Sequence, residues 1–509
     1  MDYPYMTLLL GMPTPDGLIK NGLVTKPGIG LKDYNLGSNM LFKNDFISLL
    51  INEFPYLMTQ SQEEAIEKLV DFLYKKGERR FFILRGYAGT GKTSLVSALV
   101  KTFVQNRRNI ILLAPTGRSA KVFSSYANTA AYTIHKVIYS VQNIDGKLIM
   151  RRKINQLSNT LFIVDEVSMI AQYQHREDYY PTGNLLEDLM QFVFEGKNNK
   201  LIFVGDDAQL APIHETESKA LNLSFMKDYF DLLGEEYTLT DIVRQEEESG
   251  ILVNANLLRQ VIKKEKVEKI RFLCDTYPDF KKVDGVNLEE LLHQLYSNFS
   301  VDDIIIITRS NWRANLFNQE IRNRILFRES LINGGDLIMA VKNNYFYLSE
   351  DHELGLIANG EMMEVQKVVR TEEMHGFQFA DLMVQLCDYP DFPPFEIKVI
   401  LNTLLSTSSA LTFEEYNALY ESVSLDYADI TSKKERMKLL KENPYLNAVQ
   451  IKFSYAVTGH KSQGGEWSVA LIDFVLFQDE ELTIEHLRWL YTAITRGKKE
   501  VYLINFDEI

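Results

Sequence analysis

The sequence predicts an α/β fold made of two parallel-sheet lobes, and three observations lead there. Short apolar runs rich in β-branched and aromatic residues recur, each closing on small or polar residues. They are "RFFILRG", "NIILLAPT", "TLFIVDE" and "KLIFVGDD" early in the chain, then "DDIIIITRS", "SVALIDF" and "EVYLINFD" late. Helical patterns such as "TSLVSALVKTFV" and "HLRWLYTAIT" alternate with them, and continuous apolar strands between helices mark a sheet covered on both faces. The runs fall into two groups, one before about residue 240 and one after about residue 300, hence two lobes.

In chain order, residues 1–55 form an N-terminal segment whose first 40 positions are rich in glycine and proline and lack periodicity, as a loose leader would. Residues 56–240 carry the first lobe. Within it, 137–155 reads as a hairpin around Asp145-Gly146, a strong turn dipeptide. Residues 241–334 and 451–509 supply the second lobe. Between them, 335–450 holds short strand-like pieces and the charged helical stretch "TSKKERMKLLKEN", a β-rich insertion with a helical extension.

With 55 basic and 69 acidic side chains, the net charge of −14 excludes coating of nucleic acid by bulk attraction. A strand held in a narrow, locally basic groove remains compatible. The clusters Arg79-Arg80, Arg107-Arg108 and Arg151-Arg152-Lys153 read by themselves as solvated surface. No apolar stretch approaches the roughly 18 residues that span a bilayer, so no membrane partner is expected. Cys274 and Cys387 form no metal-ligand spacing and fit a reducing compartment, the cytoplasm by default.

The chemistry begins at "GYAGTGKT", Gly86 to Thr93, which follows an apolar strand and opens a helical pattern. That context is what a phosphate-binding loop needs. The backbone of Gly86, Ala88, Gly89, Thr90 and Gly91 would turn N–H groups toward phosphate oxygens, helped by the helix N-terminus that carries Lys92, Thr93 and Ser94. Lys92 would reach the β- and γ-phosphates of ATP, and Thr93 would ligate Mg²⁺. "LFIVDEVSM" adds Asp165 and Glu166 at the end of a strand, the edge where ligands of such sheets bind. Asp165 would hold Mg²⁺ and Glu166 would deprotonate the attacking water. Alone, Asp-Glu after a strand is a common helix cap; beside the loop, the catalytic reading prevails.

The segments "APTGRSA", "TIH", "VDEVSM", "GDDAQLAPI", "LTDIVRQ", "VTGHKSQGGEW" and "LYTAITRG" occur in this order. Over about residues 57–505 the chain resembles the superfamily 1 helicases of subgroup B, the RecD-like and Dda-like enzymes. The resemblance implies two RecA-like lobes, with the 137–155 hairpin as a duplex-splitting pin and the 335–450 insertion as a small SH3-like barrel. It places Gln62 of "MTQSQ" against adenine, helix capping being the competing reading. It gives Gln209, Arg244 and Arg496 to the γ-phosphate, Arg496 from the opposite lobe. Gly464 and Gly465 would allow close backbone approach, and Glu466 would meet the ribose. His460, Lys461 and Ser462 would lie near the nucleic acid or at the lobe interface.

For the strand, the resemblance points to Thr116, His135, Thr308, Asn311, Thr458 and His460 as backbone-holding residues that read no bases. Each is also a common helix cap or turn residue. Tyr139 and Leu148 would abut the fork, with Arg151, Arg152 and Lys153 near phosphate. The implied activity is ATP-dependent, 5′ to 3′ translocation on single-stranded DNA with unwinding at single-strand/duplex junctions, by a monomeric or weakly associating protein. Two alternatives stand: the motor subunit of a multi-chain exonuclease with nuclease or repair-complex partners, and a nucleotide-switched DNA clamp.

Overall fold

The computed structural model describes residues 42–509 apart from 78, 145–146, 173–183, 242–248, 265, 268, 349–355 and 477–479. Most of the N-terminal segment therefore lies outside the described residues. The first strands are β1 Arg80–Gly86, β2 Ile110–Ala114, β3 Ala131–Thr133, β4 Tyr139–Ile144, β5 Lys147–Arg152, β6 Leu161–Val164, β7 Lys200–Gly205 and β8 Leu233–Leu239. All but β4 and β5 join one sheet in the order β3-β2-β6-β7-β1-β8, each pair parallel.

Strand β1 shows why its run is apolar throughout. Phe82 and Leu84 enter the core beneath the helices Gln60–Tyr74 and Lys92–Gln105, while Phe81 and Ile83 enter the core beneath Leu185–Glu195. Successive side chains point to opposite faces, and both faces are covered. Burying each such side chain stabilises by roughly 1.5–3 kcal/mol.

The second sheet opens with β9 Phe280–Val283 and β10 Ile304–Thr308. The chain then leaves it to build a closed barrel from β11 Leu337–Ala340, β12 Met362–Met374, β13 Phe377–Leu386, β14 Phe395–Ile400 and β15 Val449–Phe453. It returns as β16 Ala456–Thr458, β17 Trp467–Asp473 and β18 Gly497–Ile504, giving the parallel order β16-β10-β17-β18-β9. Barrel and sheet share one core and are pinned by a buried polar knot. Arg322 donates to both oxygens of Asp336, at 3.0 and 2.9 Å, and Tyr455 donates to Asp336 Oδ1 at 2.9 Å.

The helical extension of the barrel has a topological cause. Strands β14 and β15 pair parallel, and parallel neighbours need a crossover instead of a tight turn. The helices Phe413–Leu425 and Lys433–Glu442 fill that crossover, packing Leu419, Val423 and Leu440 onto Phe379 and Ile400.

Strands β4 and β5 pair antiparallel from Tyr139↔Arg152 to Ile144↔Lys147. The turn at 145–146 and the side chains of 141–150, Leu148 among them, lie outside the described residues. Among the described residues, no helix is long and apolar enough to cross a membrane.

Candidate active site

The loop between β1 and the helix Lys92–Gln105 is shaped by left-handed backbone at Gly89 (φ +79°) and Gly91 (φ +80°), which L side chains rarely adopt. Thr90 Oγ1 donates to the Tyr87 carbonyl at 2.8 Å and tightens the turn. Lys92 Nζ donates to the carbonyls of Gly86 and Tyr87, the latter at 3.0 Å, and lies 3.8 Å from Asp206 Oδ2. Thr93 is exposed on the first helical turn, with Ser94 half-buried beside it.

Gln62 departs from the adenine reading. It is 1% exposed; its amide oxygen accepts the Thr59 N–H at 3.0 Å, completing a capping box, and its amide nitrogen donates to the Thr90 carbonyl at 3.0 Å. A buried amide finds local partners first, and here they are the helix cap and the loop itself.

At the end of β6, Asp165 Oδ1 accepts the Glu166 N–H at 2.8 Å and Oδ2 accepts the Tyr126 hydroxyl at 2.5 Å. Burial raises the Asp165 carboxyl above its ordinary value. Glu166 itself adopts φ +52°, uncommon outside glycine. Its carboxyl is pushed up to about 7, chiefly by burial, with Arg496 pulling it down. Near neutrality, that is the range in which a general base works best.

The second lobe reaches into this cluster. Arg496, 5% exposed, stands with Nη1 4.0 Å from Glu166 Oε1 and 3.1 Å from the Gly465 carbonyl to which it donates. With its amide oriented to satisfy both neighbours, Gln209 donates to Glu166 Oε2 at 3.3 Å and accepts from Arg496 Nη2 at 3.3 Å. Glu166, Gln209 and Arg496 are thus brought together from sequence-distant segments; Arg244 lies outside the described residues.

The run ending in "GGEW" seats on the first lobe. Gly464 has φ +71°, and a Cβ there would lie 2.9 Å from Ser119 Cβ on the helix Gly117–Ala127, so both torsion and contact demand glycine. Gln463 donates to the Leu210 carbonyl at 2.9 Å, and His460 bonds the backbone of Ala211, its ring made less basic by burial. Burial likewise lowers Lys461 to about 8, and Ser462 donates to the Gly459 carbonyl at 2.7 Å. Glu466 pairs with Lys498 at 2.6 Å, with both side chains open to solvent.

The AAA domain family matches residues 57–272, and the UvrD-like helicase C-terminal domain matches 453–504. Along most of its length the chain is similar to helicases of the RecD and Dda kind. It is 22% identical over 482 residues to the ATP-dependent DNA helicase dda of Enterobacteria phage T4, covering 88% of this chain and 99% of that protein. It is 22% identical over 468 residues to the RecBCD enzyme subunit RecD of Buchnera aphidicola subsp. Schizaphis graminum (strain Sg), covering 84% and 70%. Among solved structures, the Pif1 helicase from Bacteroides in complex with ADP-AlF3 and ssDNA aligns over 89% of this chain and 93% of that one, at 14% identity and a TM-score of 0.44.

For this helicase the expected strand contacts divide. Tyr139 is buried and donates to Asp188 Oδ2 at 2.6 Å, so it is a core residue and not a fork residue. Thr308 is 0% exposed and donates to the Ser310 carbonyl at 3.0 Å, which leaves it no surface for a phosphate. His135 sits 5.7 Å from the Tyr139 ring, and burial lowers it to about 4, so it is a neutral imidazole at physiological pH. Thr116 caps the helix Gly117–Ala127 through Ser119. Asn311 and Thr458 are half-buried at helix starts. Arg152 pairs with Glu195 at 2.7 Å, and Lys153 donates to the Lys136 carbonyl at 2.9 Å.

Sequence reasoning missed Tyr126, Asp206 and Tyr491. Asp206 Oδ2 accepts from the Tyr491 hydroxyl at 2.7 Å, and that hydroxyl accepts the Ala88 N–H at 2.8 Å. The available signal was position: Asp206 stands in the segment that holds Gln209, and Tyr491 in the one that holds Arg496.

Proposed function

We propose that the chain is an ATP-dependent DNA helicase, monomeric, that couples hydrolysis to 5′ to 3′ translocation on single-stranded DNA and to unwinding at single-strand/duplex junctions. The observation that carries this reading is Arg496 of one lobe standing 4.0 Å from Glu166 of the other, beside the phosphate loop. A cleft whose walls come from both lobes makes nucleotide binding draw them together and hydrolysis release them.

In this reading the Gly86–Ser94 loop and Lys92 hold the phosphates. The residues present fit a magnesium ion: Thr93 offers an exposed hydroxyl at the helix start, and Asp165 a carboxylate at the strand end. Bound there, the metal would neutralise charge on the phosphate oxygens. Glu166 accepts a proton from the attacking water, Gln209 orients that water, and Arg496 stabilises charge developing on the γ-phosphoryl. Arg244 is assigned to the same oxygens by resemblance. Strand contacts then rest on Thr116, Asn311, Thr458 and His460.

The test is ATPase activity with and without single strands, together with unwinding of 5′-tailed and 3′-tailed duplexes. Strand-stimulated turnover with unwinding from 5′ tails is expected; unwinding from 3′ tails alone would overturn the polarity. The likeness to a RecBCD subunit favours a second reading, a motor within a multi-chain nuclease, which co-purification of a nuclease would support.

A further inference from the structure

Tyr491 lies on the helix Ile484–Ile494 of the second lobe, yet its hydroxyl sits at the phosphate loop of the first. It is 1% exposed and makes both hydrogen bonds a phenol can readily make. It accepts the Ala88 N–H at 2.8 Å and donates to Asp206 Oδ2 at 2.7 Å. Asp206 in turn stands 3.8 Å from Lys92, whose ammonium donates to the loop's own carbonyls at Gly86 and Tyr87. A backbone N–H and an ammonium, both groups of the kind that bind phosphate oxygens, are therefore committed to protein partners, one of them delivered from across the cleft.

The next residue fixes the helix that carries the hydroxyl. Thr492 Oγ1 accepts the Leu210 N–H at 2.9 Å, also across the interface. The Tyr491 ring packs in the second lobe's core, so its hydroxyl leaves Ala88 only when that lobe shifts.

We infer that Tyr491 is a positioning residue that latches the phosphate loop: its hydroxyl takes the Ala88 N–H in place of a nucleotide oxygen, so a nucleotide must shift the helix Ile484–Ile494 off the loop before the two lobes close on it. This deepens the helicase reading and rests on it, since it names how the cleft reports phosphate occupancy to the second lobe. Without the hydroxyl, a nucleotide no longer competes with a protein acceptor for that amide.

The experiment uses the full chain and Tyr491→Phe, which keeps the ring and removes both hydrogen bonds. Fluorescent mant-ADP titrations are expected to show binding about three- to tenfold tighter in the variant, the scale of one hydrogen bond relieved of competition. The KM for ATP falls with it, and the ratio of strand-stimulated to strand-free kcat drops. Thr492→Val loosens the helix that carries the hydroxyl without removing the hydroxyl, and is expected to tighten mant-ADP binding by a smaller factor than Tyr491→Phe does. Unchanged or weaker mant-ADP binding in Tyr491→Phe overturns the latch, as does equal tightening in Thr492→Val. Absence of ATP hydrolysis by the unaltered chain would sink the helicase reading instead, while the mant-ADP comparison still decides the latch.

Discussion

The Arg118 guanidinium lies over the Trp467 ring, 3.9 Å from its centroid, joining the first lobe to the glycine run of the second. The same guanidinium donates to the Glu466 carbonyl at 3.4 Å and contacts Met362 Sδ, so one side chain touches the second lobe and the barrel together. Arg118→Ala is expected to lower stability by about 1–2 kcal/mol in urea unfolding. Arg118→Lys should recover less than half of that, because an ammonium lacks the planar fork that stacks and bridges. Full recovery by lysine would mean that charge alone matters there.

Replacing Arg496 with lysine keeps a cation but loses the fork that serves Gly465 and Glu166 together. The expected result is a kcat reduced by about 10²–10⁴-fold with KM changed far less, since a charge aimed at the developing phosphoryl acts in the transition state. Steady-state ATPase kinetics with saturating single strand give the answer; a pure KM effect would remove Arg496 from the chemistry.

Gln62→Ala separates two roles. The amide serves Thr59 and Thr90 here, so its loss should loosen the loop for any nucleoside triphosphate and cost about 1–2 kcal/mol of stability. KM for ATP and for GTP should rise by the same factor. A rise confined to ATP would restore adenine reading.

The barrel carries a pH-dependent contact with the first lobe. Glu361 is buried near the start of the helix Gly117–Ala127, where a Cβ on Gly117 would lie 2.7 Å from Oε2, and among the described residues its Oε1 has no hydrogen-bond partner. Burial, then Asp388, pushes its carboxyl from 4.5 up to about 8, against the pull of Arg118 and Lys121. The folded chain thus keeps a proton that the unfolded chain releases. The contribution is fully present below about 4.5, declines as pH rises, and is gone above about 8. Glu361→Gln lacks this titration, so between about pH 5 and pH 9 its thermal midpoint should fall less than that of the unaltered chain, a difference on the order of 1–3 kcal/mol. Parallel pH profiles would refute it.

Much of this architecture was legible because it rests on local rules. Apolar runs of β-branched residues became parallel strands, and Gly89 and Gly91 mark a loop only glycine can form. The Asp-Glu pair falls at a strand end for the same reason. What stayed hidden depends on which atoms meet across long sequence distances. Nothing in the spacing of Tyr491 says its hydroxyl meets Ala88, and Tyr126 reaches Asp165 only because the helix Gly117–Ala127 ends beside the strand end that carries the carboxylate. Tyr139 and Thr308 were misjudged because burial, which the sequence leaves ambiguous for short polar-tipped residues, placed them inside. The parallel closure of β14 on β15 was equally unreadable, and it explains the helical excursion that strand patterning alone could not.

Strand β10 pairs with β16 and β17, both of which follow the barrel in the chain. During synthesis the first lobe can settle as soon as β8 has left the ribosome, but the four consecutive isoleucines of β10 must wait, unpaired, while the whole barrel is made. A nascent polypeptide in that interval carries a sticky, half-built sheet, and it is there, well before any nucleotide is met, that shielding by a chaperone would matter most.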